Sequence, residues 1–245
     1  MDPHDAVVAV IGPHAETGCT TLLGTGSLIG DGSVLLTAAH VGGDEVTVAS
    51  LRDDDGPQAY PARLIERDGA HDLALYRVEG YRAEKPLTPW WAPITFDRDL
   101  VTFEYSPSAP EGDQLVLSPA TRIGHMTRMI DVSDRYGPRG EWALELSFPA
   151  VGGASGAPVM LKDDLYGIAA NQRPWSIVGV ITGNIAHHLL PLQVDEYLGA
   201  DNSYVSETRY MLPQGLAVNI AHLSEMYERH IGPAEDPQTS VWPLP

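Results

Sequence analysis

Short apolar runs separated by turn residues recur along most of this chain. The runs are Ala6–Ile11, Thr25–Ile29, Ser33–Leu36, Glu45–Ala49, Leu73–Val78, Leu100–Phe103, Gln114–Leu117, Trp142–Phe148, Pro158–Leu161 and Ile177–Ile181. Many are rich in Val, Ile and Thr, which fit a pleated, half-buried surface, and Gly, Pro, Asp and Asn between them supply turns. Runs spaced about ten residues apart with this punctuation predict an all-β sandwich or barrel. Ala217–His230 departs from the pattern. There Val218, Ile220, Leu223, Met226 and Tyr227 recur at helical spacing, which predicts a helix near the C-terminus.

Composition supports the turn-rich reading, with 24 glycines and 20 prolines among 245 residues. Thr88–Asp99, rich in Pro and Trp, is expected to begin a connector between two halves, and Trp90-Trp91 to serve packing. Residues 232–245 carry four prolines and are expected to lie on the surface or remain disordered. The net charge of −18 repels nucleic-acid phosphates and anionic membranes, so neither is an expected partner. Cys19 is the one cysteine, which excludes an internal disulfide and a Cys-based zinc cluster and favours a reducing compartment. The start lacks a basic segment followed by an apolar one, and no apolar stretch approaches the ~20 residues of a membrane span. The expected location is cytoplasmic.

Three segments carry candidate chemistry. In the first, Gly24–Val41, an alternating strand turns at Gly30-Asp31-Gly32 into a second strand that ends in small residues before His40. The second is His71-Asp72-Leu-Ala-Leu-Tyr76, a carboxylate just ahead of an alternating strand. The third is Val151-Gly-Gly-Ala-Ser155-Gly-Ala-Pro158, a serine among residues without bulk. A serine hydroxyl attacks a carbonyl only when a base takes its proton, and the base needs a carboxylate to fix its tautomer. The resulting oxyanion needs N–H donors, and the glycine at 153 lets the backbone aim those of Gly153 and Ser155 at one point.

Thr37-Ala-Ala-His40, Asp72-Leu-Ala-Leu and Gly153-Ala-Ser155-Gly-Ala-Pro158, in that order, resemble the trypsin-like (chymotrypsin-fold) serine peptidases. The likeness is closer to the disulfide-free bacterial members of the HtrA and glutamyl-endopeptidase type than to digestive trypsin. It implies two six-stranded antiparallel β-barrels packed side by side with a C-terminal helix. By the same likeness residues 1–108 form a barrel carrying His40 and Asp72, and residues 109–231 a barrel carrying Ser155 and the terminal helix. It assigns Ser155 as nucleophile, His40 as base and Asp72 as its orienting acid, with Gly153 and Ser155 as the oxyanion hole. It places Pro149, Ala150, Thr182, Gly183, Asn184 and Gly215 around the substrate, with Val180–Asn184 as the edge strand that pairs with substrate backbone. The implied function is endopeptidase action on proteins or peptides, without metal or organic cofactor. Regulated proteolysis under an activating or inhibitory protein partner is the implied setting.

The sequence also departs from secreted trypsins. Ala154 stands where they carry the acid that pairs with a freed N-terminus, so zymogen cleavage of that kind is not expected. Pro149 stands where trypsin carries the acid that selects Lys or Arg, so a small, uncharged first pocket is expected. Asp163–Trp175 and Ala186–Pro213 are longer than the family minimum and suit lids or docking surfaces. The α/β-hydrolases use a serine in a glycine setting too, but in the order Ser, acid, His. Asp195 and His222 lie downstream of Ser155 without supporting context, and Ala157-Pro158 interrupts the glycine pattern and helix that fold requires. His187-His188 on a strand would face opposite sides, which argues against a metal site. The alternative function is a catalytically silent module that keeps the fold and binds peptides in the same groove.

Overall fold

The computed structural model describes residues 5–13, 18–50, 58–96, 98–107, 115–162, 175–188, 193–198, 203–208 and 211–233. Strands β1 (Val7–Pro13), β2 (Thr20–Ile29), β3 (Val34–Ala38), β4 (Glu45–Ser50), β5 (Gln58–Asp68) and β6 (Leu73–Val78) close a first barrel. Its order is β1-β2-β3-β6-β5-β4, antiparallel throughout. The connector forms β7 (Thr88–Pro89), which lies parallel to a strand of the second barrel. That barrel comprises β8 (Asp99–Pro107), β9 (Leu117–Ile130), β10 (Ala143–Leu146), β11 (Pro158–Leu161) and β12 (Ser176–His188). A separate hairpin, β13 (Gln193–Leu198) with β14 (Ser203–Thr208), precedes its last strand, β15 (Met211–Asn219). Pairing of β11 with β12 closes the order β11-β8-β9-β10-β15-β12. Two six-stranded antiparallel barrels are therefore present, as the sequence implied.

Helix α1 (Ser133–Tyr136) lies in the β9–β10 connection, and α2 (Ser224–His230) follows β15. The predicted helix at Ala217–His230 begins later than its periodicity suggested. Val218 is fully buried on β15, and Asn219 ends the strand by accepting a hydrogen bond from Ala221 N–H at 3.0 Å. α2 then returns to the first barrel, where Arg229 donates to Glu66 of β5 at 2.6 Å and Tyr227 meets Trp91 edge-on at 5.4 Å.

Three strands differ from the expected runs. β5 contains Pro61 and charged residues, and it is held by pairing with β4 and β6. β9 starts where the run Gln114–Leu117 ends and extends to Ile130, with Met126 its one buried side chain. Its pairing with β8 and β10, not its own apolar content, makes it a strand. β8 belongs to the second barrel, so the sheet changes over ahead of residue 108. The tail beyond 233, Gln114, most of Asp163–Trp175 and the His187-His188 side chains lie outside the described residues.

An apolar cluster that fills the first barrel continues across the seam, and the second barrel has a further core of its own around Leu144, Val159 and Ile181. Val8, Leu28, Leu36 and Leu75 of the first are fully buried with Val101, Tyr105, Met160 and Val180 of the second. Tyr105 joins the two directly. Its N–H donates to the Thr25 hydroxyl at 3.0 Å and its own hydroxyl donates to the Val7 carbonyl at 3.3 Å. The seam between the barrels is thereby fixed by packing and by buried hydrogen bonds, which cost free energy if left unpaired.

Candidate active site

His40 sits in a single 3-10 turn, Ala39–Val41, at the end of β3. Asp72 occupies the tight turn between β5 and β6, one residue before β6. The barrel brings these ends together because β3 pairs with β6 up to Ala38 opposite Leu73. Asp72 then grips the histidine turn at three points. Its carbonyl accepts from Ala39 N–H at 2.9 Å, Oδ1 from His40 N–H at 3.0 Å, and Oδ2 from His40 Nδ1 at 2.8 Å. The Asp72 side chain is 5% exposed and that of His40 43%, so the acid is buried behind an imidazole that is open to solvent. Asp72 has a φ of 58°, a left-handed conformation that a non-glycine residue adopts only under constraint. The flanking turn supplies that constraint: Asp68 accepts from Ala70 N–H, His71 N–H and the His71 ring at 2.9, 3.1 and 2.6 Å.

Ser155 lies in the turn between β10 and β11, half-buried. Two consecutive turns shape it. Ala154 N–H donates to Val151 carbonyl at 3.0 Å, and Ala157 N–H to Ala154 carbonyl at 2.9 Å. Gly153 takes a φ of 88° at the third position of the first turn, the left-handed backbone that defines a type II turn there. Gly156, at 84°, plays the corresponding part in the second.

The serine turn is docked on the first barrel. Thr25 N–H donates to the Ser155 carbonyl at 2.8 Å and the Thr25 hydroxyl to the Gly153 carbonyl at 2.7 Å. A Cβ on Gly24 would meet the Ser155 carbonyl at 2.6 Å and the Val41 side chain at 2.9 Å, so this glycine is the only spacer the approach allows. On the other side Gly156 N–H donates to Ile181 of β12 at 2.7 Å. Ser155 is thus held between β2 of the first barrel and β12, the strand expected to form the substrate edge.

The six substrate-binding candidates also converge. Asn184 of β12 clasps Ala150, accepting from its N–H and donating to its carbonyl, both at 2.8 Å. Gly215 of β15 pairs with Asn184 and donates to the Phe148 carbonyl at 2.8 Å, next to Pro149. Gly183 faces open space, and the β12–β15 register shifts at Thr182. Ala154, where an acid would have been buried, is itself fully buried.

One residue beside the site had no signal in the sequence. Arg139, in the turn Gly137–Gly140 after α1, donates to Asp72 Oδ2 at 3.3 Å. The segment Asp131–Gly140 reads as polar turn, and nothing in its pattern points 67 residues back to Asp72.

Two barrels packed side by side, with a histidine–aspartate pair on one and a serine turn on the other, define the chymotrypsin-fold class. Residues 24–167 match the trypsin-like peptidase domain, and the chain belongs to that family. Solved structures agree at the level of fold. The MamO protease domain from Magnetospirillum magneticum is 15% identical, with a TM-score of 0.57, covering 91% of this chain and 96% of that one. The serine endoprotease from Yersinia pestis is 18% identical at a TM-score of 0.55, and an HtrA-type protease, AlgW, solved with a tripeptide, is 16% identical at 0.56. Each of these two aligns with 94% of this chain, which spans 64% and 62% of their respective lengths. No curated protein sequence matches the chain. Among the described residues, no helix is long and apolar enough to cross a membrane.

Proposed function

We propose that this protein is a serine endopeptidase that cleaves proteins or peptides. Ser155 attacks the scissile carbonyl, and His40 takes the hydroxyl proton and returns it to the leaving amine. Asp72 holds His40 in the tautomer with its proton on Nδ1 and balances the imidazolium that forms. The N–H groups of Gly153 and Ser155 hold the developing oxyanion, a contribution of about 3 kcal/mol for each such donor. The 2.8 Å hydrogen bond between His40 Nδ1 and Asp72 Oδ2, beside the docked serine turn, is the observation that carries this reading.

The substrate lies along β12, with its first side chain beside Pro149, Ala150 and Gly215. No charged side chain stands among the residues named for that pocket, which suits small or apolar groups. A single cysteine fits an intracellular setting, in which a protein partner governs the activity. Labelling with a fluorophosphonate probe tests the reading: wild type takes the label and Ser155→Ala does not. If wild type stays unlabelled, alone and with its cellular partners, the chain is a binding module on a peptidase fold.

A further inference from the structure

The Asp131–Glu141 connection rests on the second barrel through Val132 and Tyr136, half-buried against Ala143, Ile185 and Leu216. No residue of α1 is buried, and in the turn that follows only Gly140 is. Its base is pinned by Val132 N–H donating to the Gly140 carbonyl at 2.7 Å, and a Cβ on Gly140 would meet the Val132 backbone at 2.7 Å. Pro138 stiffens the turn, and Asp131 accepts from Ser133 N–H at 3.0 Å. Arg139 lies outside that cluster, and the packing of Val132 and Tyr136 seats only the loop itself.

What it presents is directed at the catalytic candidates. Arg139 reaches from the second barrel to Asp72 Oδ2 on the first, the same oxygen that accepts from His40 Nδ1. Its guanidinium lies 5.9 Å from the centre of the Tyr136 ring, within cation–π range. The Tyr136 hydroxyl donates to the Asn184 carbonyl at 3.2 Å, and Asn184 in turn clasps Ala150. A continuous chain of contacts thus runs from the buried acid to the strand edge and the wall of the first pocket.

Building on the peptidase reading above, we propose that Arg139 is a positioning residue. It holds the Asp72 carboxylate in the orientation that His40 requires and, through Tyr136 and Asn184, ties that orientation to the substrate edge. The carboxylate is held by the His40 N–H on Oδ1 and the His40 ring on Oδ2; Arg139 adds a second donor on Oδ2, which narrows its rotation further and partly offsets its buried charge. The guanidinium is 35% exposed, so its removal leaves no cavity in the core.

The test uses the full chain with Arg139→Gln, Arg139→Lys and Tyr136→Phe, and two readouts. One is fluorophosphonate labelling, resolved into a maximal rate and a half-saturating concentration. The other is the far-downfield proton resonance of the His40 Nδ1–H, recorded also in Ser155→Ala, where no chemistry occurs. Arg139→Gln is expected to lower the maximal labelling rate about tenfold with half-saturation within about twofold, and to broaden the resonance. Arg139→Lys keeps the charge and restores most of the rate and a sharp resonance, and Tyr136→Phe falls between. Wild-type rate and resonance in Arg139→Gln overturn the proposal, as does a lysine variant no better than glutamine, or no downfield resonance in wild type. If wild type takes no label yet the resonance responds to Arg139 as described, the peptidase reading fails and the positioning role stands.

Discussion

Gly156, the residue after the candidate nucleophile, has no room for a side chain against Thr37 of β3. A Cβ there would overlap the Thr37 hydroxyl and the Thr25 carbonyl and stand 3.0 Å from Ala38 N. The Thr37 hydroxyl is itself committed, donating to the Thr25 carbonyl at 2.7 Å while fully buried. The closeness of these backbones sets Ser155 beside the turn of His40.

Gly156→Ala therefore has two penalties, the overlap and a φ of 84° that an alanine resists. A loss of about 2–4 kcal/mol in unfolding free energy is expected, which corresponds to roughly 4–16 °C in melting temperature for a chain of this size. Urea unfolding measures it, and labelling of Ser155 should fall in parallel because the docked turn is displaced. A variant as stable as wild type would show that the two barrels separate easily at this seam.

Ser155→Ala isolates the chemistry. The residue is half-buried and the turn around it is closed by backbone bonds of Ala154, Gly156 and Ala157, which the substitution leaves in place. Peptide turnover and probe labelling should disappear, while the melting temperature stays within about 2 °C. A large drop in stability would instead mark the hydroxyl as structural.

Asp72→Asn and Asp72→Ala should part company. Asparagine tolerates left-handed backbone and its side-chain oxygen still accepts the His40 N–H, so the histidine turn survives. Its amide faces His40 Nδ1 with a donor, however, which selects the wrong tautomer and should slow labelling by about 10³–10⁴. Alanine at a φ of 58° loses all three carboxylate bonds and adds backbone strain, so it should also cost stability by a further ~1–3 kcal/mol. Labelling rates and thermal scans of the two variants side by side give the comparison.

The sequence made the barrels legible where short apolar runs stand between turn residues, as in Leu73–Val78, whose side chains are all buried except Arg77. It also marked His40 and Ser155 as candidates through the small residues beside them, and Asp72 through its place just ahead of β6. β5 and β9 were opaque for the same reason in reverse. Their side chains are mostly half-exposed and polar, and their strand character comes from neighbours distant in sequence. Arg139 was opaque because its role depends on a loop closing over the other barrel, which no local pattern encodes.

Glu104 carries a cost that the fold tolerates through one partner. Its carboxylate is fully buried, Arg122 Nε donates to Oε1 at 2.7 Å, and Oε2 has no partner among the described residues. Burial pushes the acid upward, and the arginine offsets this only in part. Its folded state thus holds the proton more firmly than the unfolded chain, so this group costs stability as pH rises above 4.5. Glu104→Gln should be neutral or stabilising at pH 7, whereas Arg122→Met leaves a lone buried charge and should cost about 3–5 kcal/mol. Equilibrium unfolding of both variants decides between this account and a structural ion pair.

His222 lends the fold a pH dependence of opposite sign. It stacks on His71 with ring centres 4.1 Å apart, and its Nε2 meets the Glu141 carbonyl at 3.1 Å, beside a polar cleft that includes Glu66, Asp68 and Glu225. Burial holds its proton affinity below the usual 6.5, with the neighbouring His71 acting in the same direction. Below that pH the unfolded chain takes up a proton that the folded one resists, so the unfolded state binds more protons and stability falls. The loss begins as pH drops through 6.5 and levels off once the folded histidine is also protonated. Asp31, lowered by the Ser33 hydroxyl, and Glu66, lowered by Arg229, contribute only in the more acid range, as pH falls below 3.8 and 4.5. His222→Gln keeps a donor for Glu141 without a titrating group, so its stability should change less than that of wild type between pH 7.5 and 5.5. Urea unfolding at intervals across that range measures the difference. Parallel curves for the two proteins would place the pH dependence elsewhere.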